Sequence, residues 1–178
     1  MKTTFSLRTA FSIASLIFAI SFFGSVCFAD APLRHWPIVE RGEQDVQEEQ
    51  NVSVHELQLL LAAHGEKIPA DGLFGKTTQK ALSRFQQRHR LAATGKTNNP
   101  TWEALIMPVH QGSTGPAVKA VQLQLRAEGY AVPANGIFDA RMKAAVRQFQ
   151  QHTGHTADGV VGRNTWYELL GGTEFGND

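Results

Sequence analysis

Basic side chains recur at four-residue spacing in one stretch of the chain, at Lys76, Lys80, Arg84 and Arg88. Side chains four residues apart lie on one face of an α-helix, so this spacing predicts a positively charged stripe. The stripe could attract a polymer that carries carboxylates, or it could be a solvated helix face. A second predicted helix carries Arg141, Lys143 and Arg147.

The patterns of the common catalytic and metal centres are missing or incomplete. No G-x-S-x-G or S-x-x-K motif supplies a serine nucleophile. His152, His155 and Asp158 have a metal-ligand spacing, but Asp158 also belongs to a turn motif, so we interpret the histidines as surface or partly buried residues. Residues 70–77 loosely match a phosphate loop, yet no buried strand precedes them. We therefore predict that the protein is not an enzyme and uses no metal or cofactor.

The first 29 residues have the three parts of a secretory signal peptide. Lys2 and Arg8 provide a basic start, residues 10–23 are apolar, and small residues lead to Ala29. We predict cleavage after Ala29 and export to the periplasm or the extracellular space. The alternative is an uncleaved N-terminal membrane anchor, because the apolar stretch approaches the ~20 residues of a membrane span.

The composition of the chain changes when this segment is set aside. The 178 residues carry 17 Lys and Arg against 16 Asp and Glu, a net charge of +1. Without residues 1–29 there are 15 basic and 16 acidic residues and no cysteine, because Cys27 is removed. This excludes a disulfide framework and a thiol nucleophile, and it does not favour binding to nucleic acid. Residues 30–50 are acidic and predict a flexible linker, and residues 171–178 predict a flexible tail.

Most of the remaining chain is an internal duplication. Residues 57–105 align without a gap to residues 121–169 at an offset of 64, and 18 of 49 positions are identical. Apolar residues in each copy recur at helical spacing, which predicts three helices per copy. We expect second helices over residues 76–89 and 140–152. Gly65 is expected to end the first helix, and Pro116 to begin its counterpart.

Short turn motifs precede the predicted helices. Residues 71–78 read D-G-L-F-G-K-T-T, and residues 158–165 read D-G-V-V-G-R-N-T. Asp bonds the backbone ahead of it, and Gly accepts the positive φ of a tight turn. We expect the second glycine of each motif to ease entry into a helix. The predicted structural turn residues are Asp71, Gly72, Gly75, Asn135, Gly136, Asp158, Gly159 and Gly162.

These motifs, together with A-[LV]-x-x-F-Q and T-W-x-x-L, resemble the peptidoglycan-binding domain family. The resemblance implies small three-helix modules of the kind attached to bacterial cell-wall hydrolases. It predicts an all-α protein with tandem modules at residues 51–107 and 112–170. The copies depart from the motif differently: residues 94–98 lack both the Asp and the second Gly, and Met142 stands where Thr is expected.

The resemblance implies a non-catalytic, exported protein that binds peptidoglycan or another envelope glycan. Residues 51–111 carry a net charge of +3 and residues 112–170 of +2, which suits an anionic polymer. Glutamine amides could bond acetamido groups or could simply face water. Trp102 and Trp166 could stack on sugars only if exposed, and we expect both in the core. The candidate ligand-binding residues are Lys76, Lys80, Arg84, Gln86, Gln87, Arg88, Arg147, Gln150 and Gln151.

Two other functions remain open from the sequence. An envelope adaptor or regulator of a wall hydrolase could reuse the same fold, since fold membership does not determine the ligand. A cryptic wall hydrolase is the other alternative. A separate wall hydrolase could also act as a partner, and membrane contact is expected only if residues 1–29 are retained.

Overall fold

The computed structural model describes residues 34–40, 54–171 and 173–174. The predicted export segment therefore lies outside the described residues, as do most of the acidic stretch and the end of the tail. The described elements are β1 Arg34–His35, α1 Val54–Ala63, α2 Lys76–Arg88, α3 Asn99–Leu105, α4 Pro116–Ala127, α5 Ala140–His152, α6 Arg163–Leu169 and β2 Thr173–Glu174. Helices α1–α3 form the first repeat and α4–α6 the second, which confirms the all-α prediction.

Local sequence signals set the ends of these helices. The bounds of α5 equal those predicted, and α2 ends one residue before the predicted position. Gly65 has φ +85°, and the N–H of Glu66 bonds the C=O of Leu61 at 3.0 Å, so α1 ends in the left-handed turn expected at Gly65. Pro116 is the first residue of α4, where its missing N–H is not needed.

The two repeats share one hydrophobic core. Trp102 and Trp166 are both fully buried, as expected, and Phe74 and Phe138 are inserted from the turns before α2 and α5. Seven of the ten residues of α1 are buried, because one side of this helix packs in its own repeat and another side packs against α4. The described residues accordingly belong to one compact unit that spans Pro32–Asp178.

An extended segment at residues 36–39, the first strap, fills a groove of the first repeat. Trp36 is 4% exposed, with its ring centroid 6.2 Å from that of Trp102 in α3 and 5.1 Å from that of Tyr167 in α6. The indole N–H of Trp102 donates to the C=O of Pro37 at 2.7 Å, and the N–H of Thr97 donates to the C=O of Val39 at 3.0 Å. The first strap therefore contacts both repeats.

A second strap, residues 106–109, fills the equivalent groove of the second repeat. The indole N–H of Trp166 donates to the C=O of Met107 at 2.7 Å, as Trp102 does to Pro37. Val109 and Val161 exchange two backbone hydrogen bonds, at 2.9 and 3.2 Å. Residues between the modules thus serve as a structural part of the second module.

The prediction of a flexible linker over residues 30–50 is wrong for residues 36–39. Trp36 and Val39 are apolar and find a groove, whereas Ile38 points outward and is 68% exposed. The expected tail also takes part in pairing, because β2 forms a two-residue antiparallel pair with β1. The first and the last described residues therefore lie side by side in this pair.

Candidate binding surface

Four turns, two in each repeat, share one hydrogen-bond pattern around a buried glutamine. In the turn at residues 158–165, the Gln150 amide donates to Asp158 Oδ1 at 2.9 Å, to the C=O of Val160 at 2.9 Å and to Thr165 Oγ1 at 3.1 Å. Its Oε1 accepts the N–H of Gly159 at 2.9 Å. We call this arrangement a glutamine staple, since one side chain holds both ends of the turn.

The other three staples repeat this geometry with small changes. Gln58 and Gln86 hold both ends of the turns at residues 71–78 and 94–101. Gln122 holds only the start of the turn at 135–142, because Met142 stands where the other turns have a threonine. Where the motif lacks its second glycine, Asn98 and Asp139 cap the following helix by accepting N–H bonds at 3.0 and 2.9 Å. The missing second glycine is thus compensated by a side-chain cap in each of these two turns.

The first glycine of each turn needs its conformational freedom, and the second does not. Gly72 and Gly159 have φ values of +74° and +75°, which other residues rarely adopt. Gly75 and Gly162 have φ near −90° and occupy the helix N-cap position, where any residue could adopt this backbone. The expectation that the second glycine eases entry into the helix is therefore wrong in conformational terms.

The staples also correct two of the predicted ligand-binding residues. Gln86 is fully buried and Gln150 is 2% exposed, and the amides of both are used by the turns. Neither side chain can reach a polymer in solution, so the predicted binding role is wrong for these two. Gln87 and Gln151, the next residues along each helix, are exposed.

The predicted basic stripe on α2 divides into two parts. Lys76 and Lys80 are exposed, as a binding stripe requires. Arg84 Nη2 donates to Oε2 of the buried Glu66 carboxylate at 2.6 Å, and Arg88 donates to Oε1 of the same group. Burial raises the pKa of Glu66, but the hydrogen bonds and charges of both arginines outweigh it and hold the pKa below its ordinary value. These arginines therefore support the fold, although each remains half exposed.

The second repeat lacks this ion-pair cluster, because Tyr130 and His152 stand at the positions equivalent to Glu66 and Arg88. Tyr130 packs edge-on against Phe149 instead. Arg147 on α5 is exposed and lies beside the turn at Gly159. The basic face of the second repeat is consequently not tied to a buried carboxylate of this kind.

A polar cleft opens in the second repeat, beside the turn at residues 158–165. Its volume is about 280 Å³, and its lining residues include His155, Asp158, Arg163 and Asn164. His155 Nε2 lies 3.0 Å from Glu168 Oε1. The backbone N–H of Val160 and then the Gln150 amide lower the pKa of Asp158, so this carboxylate is ionised at neutral pH.

Arg163 joins the polar cleft to the first repeat. Its Nε donates to Glu103 Oε2 at 2.7 Å, and the indole N–H of Trp36 donates to Glu103 Oε1 at 3.0 Å. The Arg163 hydrogen bond, together with that of Trp36, outweighs burial and lowers the pKa of Glu103. A smaller cleft of about 220 Å³ lies on the other side of this pair, between Glu103 and the second strap.

Sequence reasoning missed the polar cleft. Its residues appear where the two repeats differ: His155 aligns with Leu91, Arg163 with Asn99, and Asn164 with Pro100. One signal for the cleft was available in the sequence. In the second copy alone, charged or polar residues replace apolar or neutral ones at these positions. His152 is exposed and His155 is half-buried beside Glu168. Within residues 34–40, 54–171 and 173–174, no three His, Cys, Asp or Glu side chains are grouped as a metal site would require.

Comparison with known proteins identifies the fold that carries these features. Residues 50–105 and 114–169 both match the family described as "Putative peptidoglycan binding domain". The chain belongs to this family. The two matches account for all six helices of the described residues, and each begins after a strap. None of the helices in the described part of the chain is long and apolar enough to cross a bilayer.

Two curated relatives share this region. The chain is 35% identical over 98 residues to an uncharacterized protein in the bpoA1 3'region of Kitasatospora aureofaciens, covering 54% of this chain and 77% of the relative. It is 30% identical over 109 residues to the uncharacterized protein FadG of Bacillus subtilis (strain 168), covering 58% of this chain and only 19% of FadG.

Two solved structures are similar over about one module. A peptidoglycan-binding protein from Clostridioides difficile, in complex with glutamine hydroxamate, is 36% identical, with a TM-score of 0.36 and coverage of 36% of this chain and 40% of that chain. The SleB N-terminal domain is 29% identical, with a TM-score of 0.35 and coverage of 36% of this chain and 89% of that domain.

Proposed function

We propose that this protein is an exported, non-catalytic binder of peptidoglycan. The observation that carries the proposal is that two peptidoglycan-binding domains account for all six described helices. The features of the described surface, namely basic residues and one polar cleft, suit binding of an anionic polymer with polar substituents.

Export is part of the same proposal and rests on residues 1–29. A basic start, an apolar stretch and a small-residue site ending at Ala29 support cleavage at that position. Fractionation of the producing cells and mass spectrometry of the protein test this, and we expect the first residue to be Asp30 in the periplasm or at the wall. A protein that keeps residues 1–29 in the membrane fraction contradicts cleavage and favours the anchor.

Sedimentation with purified sacculi tests the binding function. We expect the purified protein to sediment with intact sacculi at low salt and to be released partly as salt rises, because exposed charges are screened. The matched control is the same protein without sacculi, which reports aggregation. A protein that stays in the supernatant at low salt would falsify the proposed function.

The absence of catalysis is tested separately, by incubating the protein with sacculi and measuring release of soluble wall fragments. We expect no release above that from buffer. Release that co-purifies with the protein through two different columns would instead support a hydrolase.

A further inference from the structure

The Trp, Phe and Tyr side chains of the described residues are withdrawn from solvent, fully or in part. Trp36, Trp102, Trp166 and Tyr167 are between 0% and 4% exposed, and the four described phenylalanines are buried as well. Tyr130 is half-buried with its ring against Phe149. The described surface therefore presents no Trp or Phe face and no open Tyr face on which a sugar ring could stack.

Peptidoglycan also contains short peptides, whose charged ends require a different kind of site. A carboxylate is bound by a guanidinium, and an ammonium by a carboxylate, at hydrogen-bond distance. The polar cleft supplies both kinds of group, since Arg163 and the Asp158 carboxylate both line it. Both turn bonds of Asp158 go to Oδ1, and its side chain is otherwise exposed.

The first repeat does not present the same groups. Leu91, Thr94, Asn99 and Pro100 stand where the cleft has His155, Asp158, Arg163 and Asn164. This repeat has no cation or carboxylate at these four positions. The nearby Lys96 is paired with Glu40, which follows the first strap. The comparison of the repeats thus favours one site rather than two.

We propose that the polar cleft of the second repeat binds the peptide part of peptidoglycan, with Asp158 receiving an ammonium group and Arg163 a carboxylate. This inference rests on the proposed function and names the component of the wall that is bound. Arg163 is held in place by Glu103, so its guanidinium is oriented before a ligand arrives. The two repeats then have different tasks: the second binds the peptide, and the first braces Arg163.

The chain provides a conservative variant for the test. Asp158→Asn removes the negative charge, and Asn135 shows that asparagine supports a glutamine staple, because its Oδ1 accepts from Gln122 and from the N–H of Ile137 at 3.0 Å each. Asp71→Asn is the matched control. Asp71 has the same bonds to Gln58 and to the N–H of Leu73, but it lies outside the cleft.

The experiment measures binding of three proteins, namely the wild type, Asp158→Asn and Asp71→Asn, to two surfaces. One surface carries intact sacculi, and the other carries glycan strands from the same sacculi after an amidase has removed the peptides. Peptides released by the amidase serve as a soluble competitor. Circular dichroism and urea unfolding of each variant verify that the staples are intact.

We expect the wild type to bind intact sacculi at least tenfold more tightly than stripped glycan strands, and the released peptides to compete. Asp158→Asn should bind intact sacculi about tenfold more weakly, the effect of losing one charge-assisted hydrogen bond, whereas Asp71→Asn should bind as the wild type does. Equal binding to both surfaces, or equal binding by both variants, overturns this inference and leaves the proposed function standing. No binding of the wild type to intact sacculi overturns the proposed function itself.

Discussion

Replacing Trp36 by alanine tests whether the first strap is part of the folded unit. Trp36 is 4% exposed and its indole N–H bonds Glu103 at 3.0 Å. A buried tryptophan removes roughly 150–250 Å² from water, which at ~25 cal/mol per Å² gives an upper limit of ~4–6 kcal/mol. The strap can detach instead of leaving a cavity, so we expect a loss in unfolding free energy of about 3 kcal/mol, the low end for core Trp→Ala changes.

Urea unfolding followed by far-ultraviolet circular dichroism is the appropriate assay, because its signal does not depend on the removed indole. Ile38→Ala is the matched control on the same strap, since Ile38 is 68% exposed and should change stability by less than about 0.5 kcal/mol. Trp36→Phe separates packing from the hydrogen bond to Glu103. If Trp36→Ala costs no more than Ile38→Ala, the strap is not part of the core and our reasoning about the grooves fails.

Three further predictions concern the staples, the buried carboxylate and one glycine. Gln86→Ala should lower the free energy of unfolding in urea by about 2–4 kcal/mol, because it leaves the buried backbone N–H of Gly95 without its acceptor. The control Gln87→Ala, at an exposed position, should change it by under about 0.5 kcal/mol. Similar values for the two variants would contradict the staple. The pKa of Glu66 is held below 4.5, so its stabilising contribution is present above pH 4.5 and is lost as the pH falls through the folded-state pKa. The stability difference between the wild type and Glu66→Gln should therefore shrink on acidification, and a difference that is independent of pH would refute this account. Gly159→Ala should lower the free energy of unfolding by roughly 1 kcal/mol more than Gly171→Ala does, as measured by thermal or urea unfolding. Both glycines have positive φ, but of the two only Gly159 would place a Cβ 2.8 Å from Cγ of Lys143 on α5. Equal losses would show that the Lys143 side chain moves aside freely.

The helices and the core could be predicted from the sequence because the apolar spacing that indicates them lies within short segments. The duplication shows the same spacing twice. Apolar residues at helical spacing placed α5 correctly, and repeat-paired aromatic residues such as Phe74 and Phe138 proved to be buried. Phe85 and Phe149, which are identical in the two copies, are likewise held by packing that both copies share. The all-α fold and the core side of each helix follow from this pattern.

The glutamine staples were partly predictable from helical phase. Gln86 lies four residues after the buried Leu82 and one after Phe85, so it belongs to the inner face of α2, whereas Gln87 lies outside it. The two glutamines are equivalent in chemistry, and only their angles around the helix distinguish the buried one from the exposed one. The distance of seven residues from the first residue of three of the four turns to a threonine, as in Asp71 to Thr78, was the other available signal.

The straps and the Glu66 cluster could not be predicted from local patterns. Four extended residues show no helical period, and the groove that binds them exists only after α3 has packed. Glu66 is 18 and 22 residues from its two arginine partners, so their meeting depends on the tertiary fold. The acidic composition of residues 30–50 therefore predicts a flexible segment, although Trp36 within it docks in the groove.

Each strap precedes the helices whose groove it fills, and this order affects how such a protein can evolve. A duplication that begins before a strap copies a cassette that fills its own groove, because the new copy brings the segment that satisfies its own buried indole N–H. A duplication that begins at the first helix leaves the strap behind and gives a copy with an open groove. Arrays built from this cassette can therefore lengthen by whole units, each of which brings its own strap.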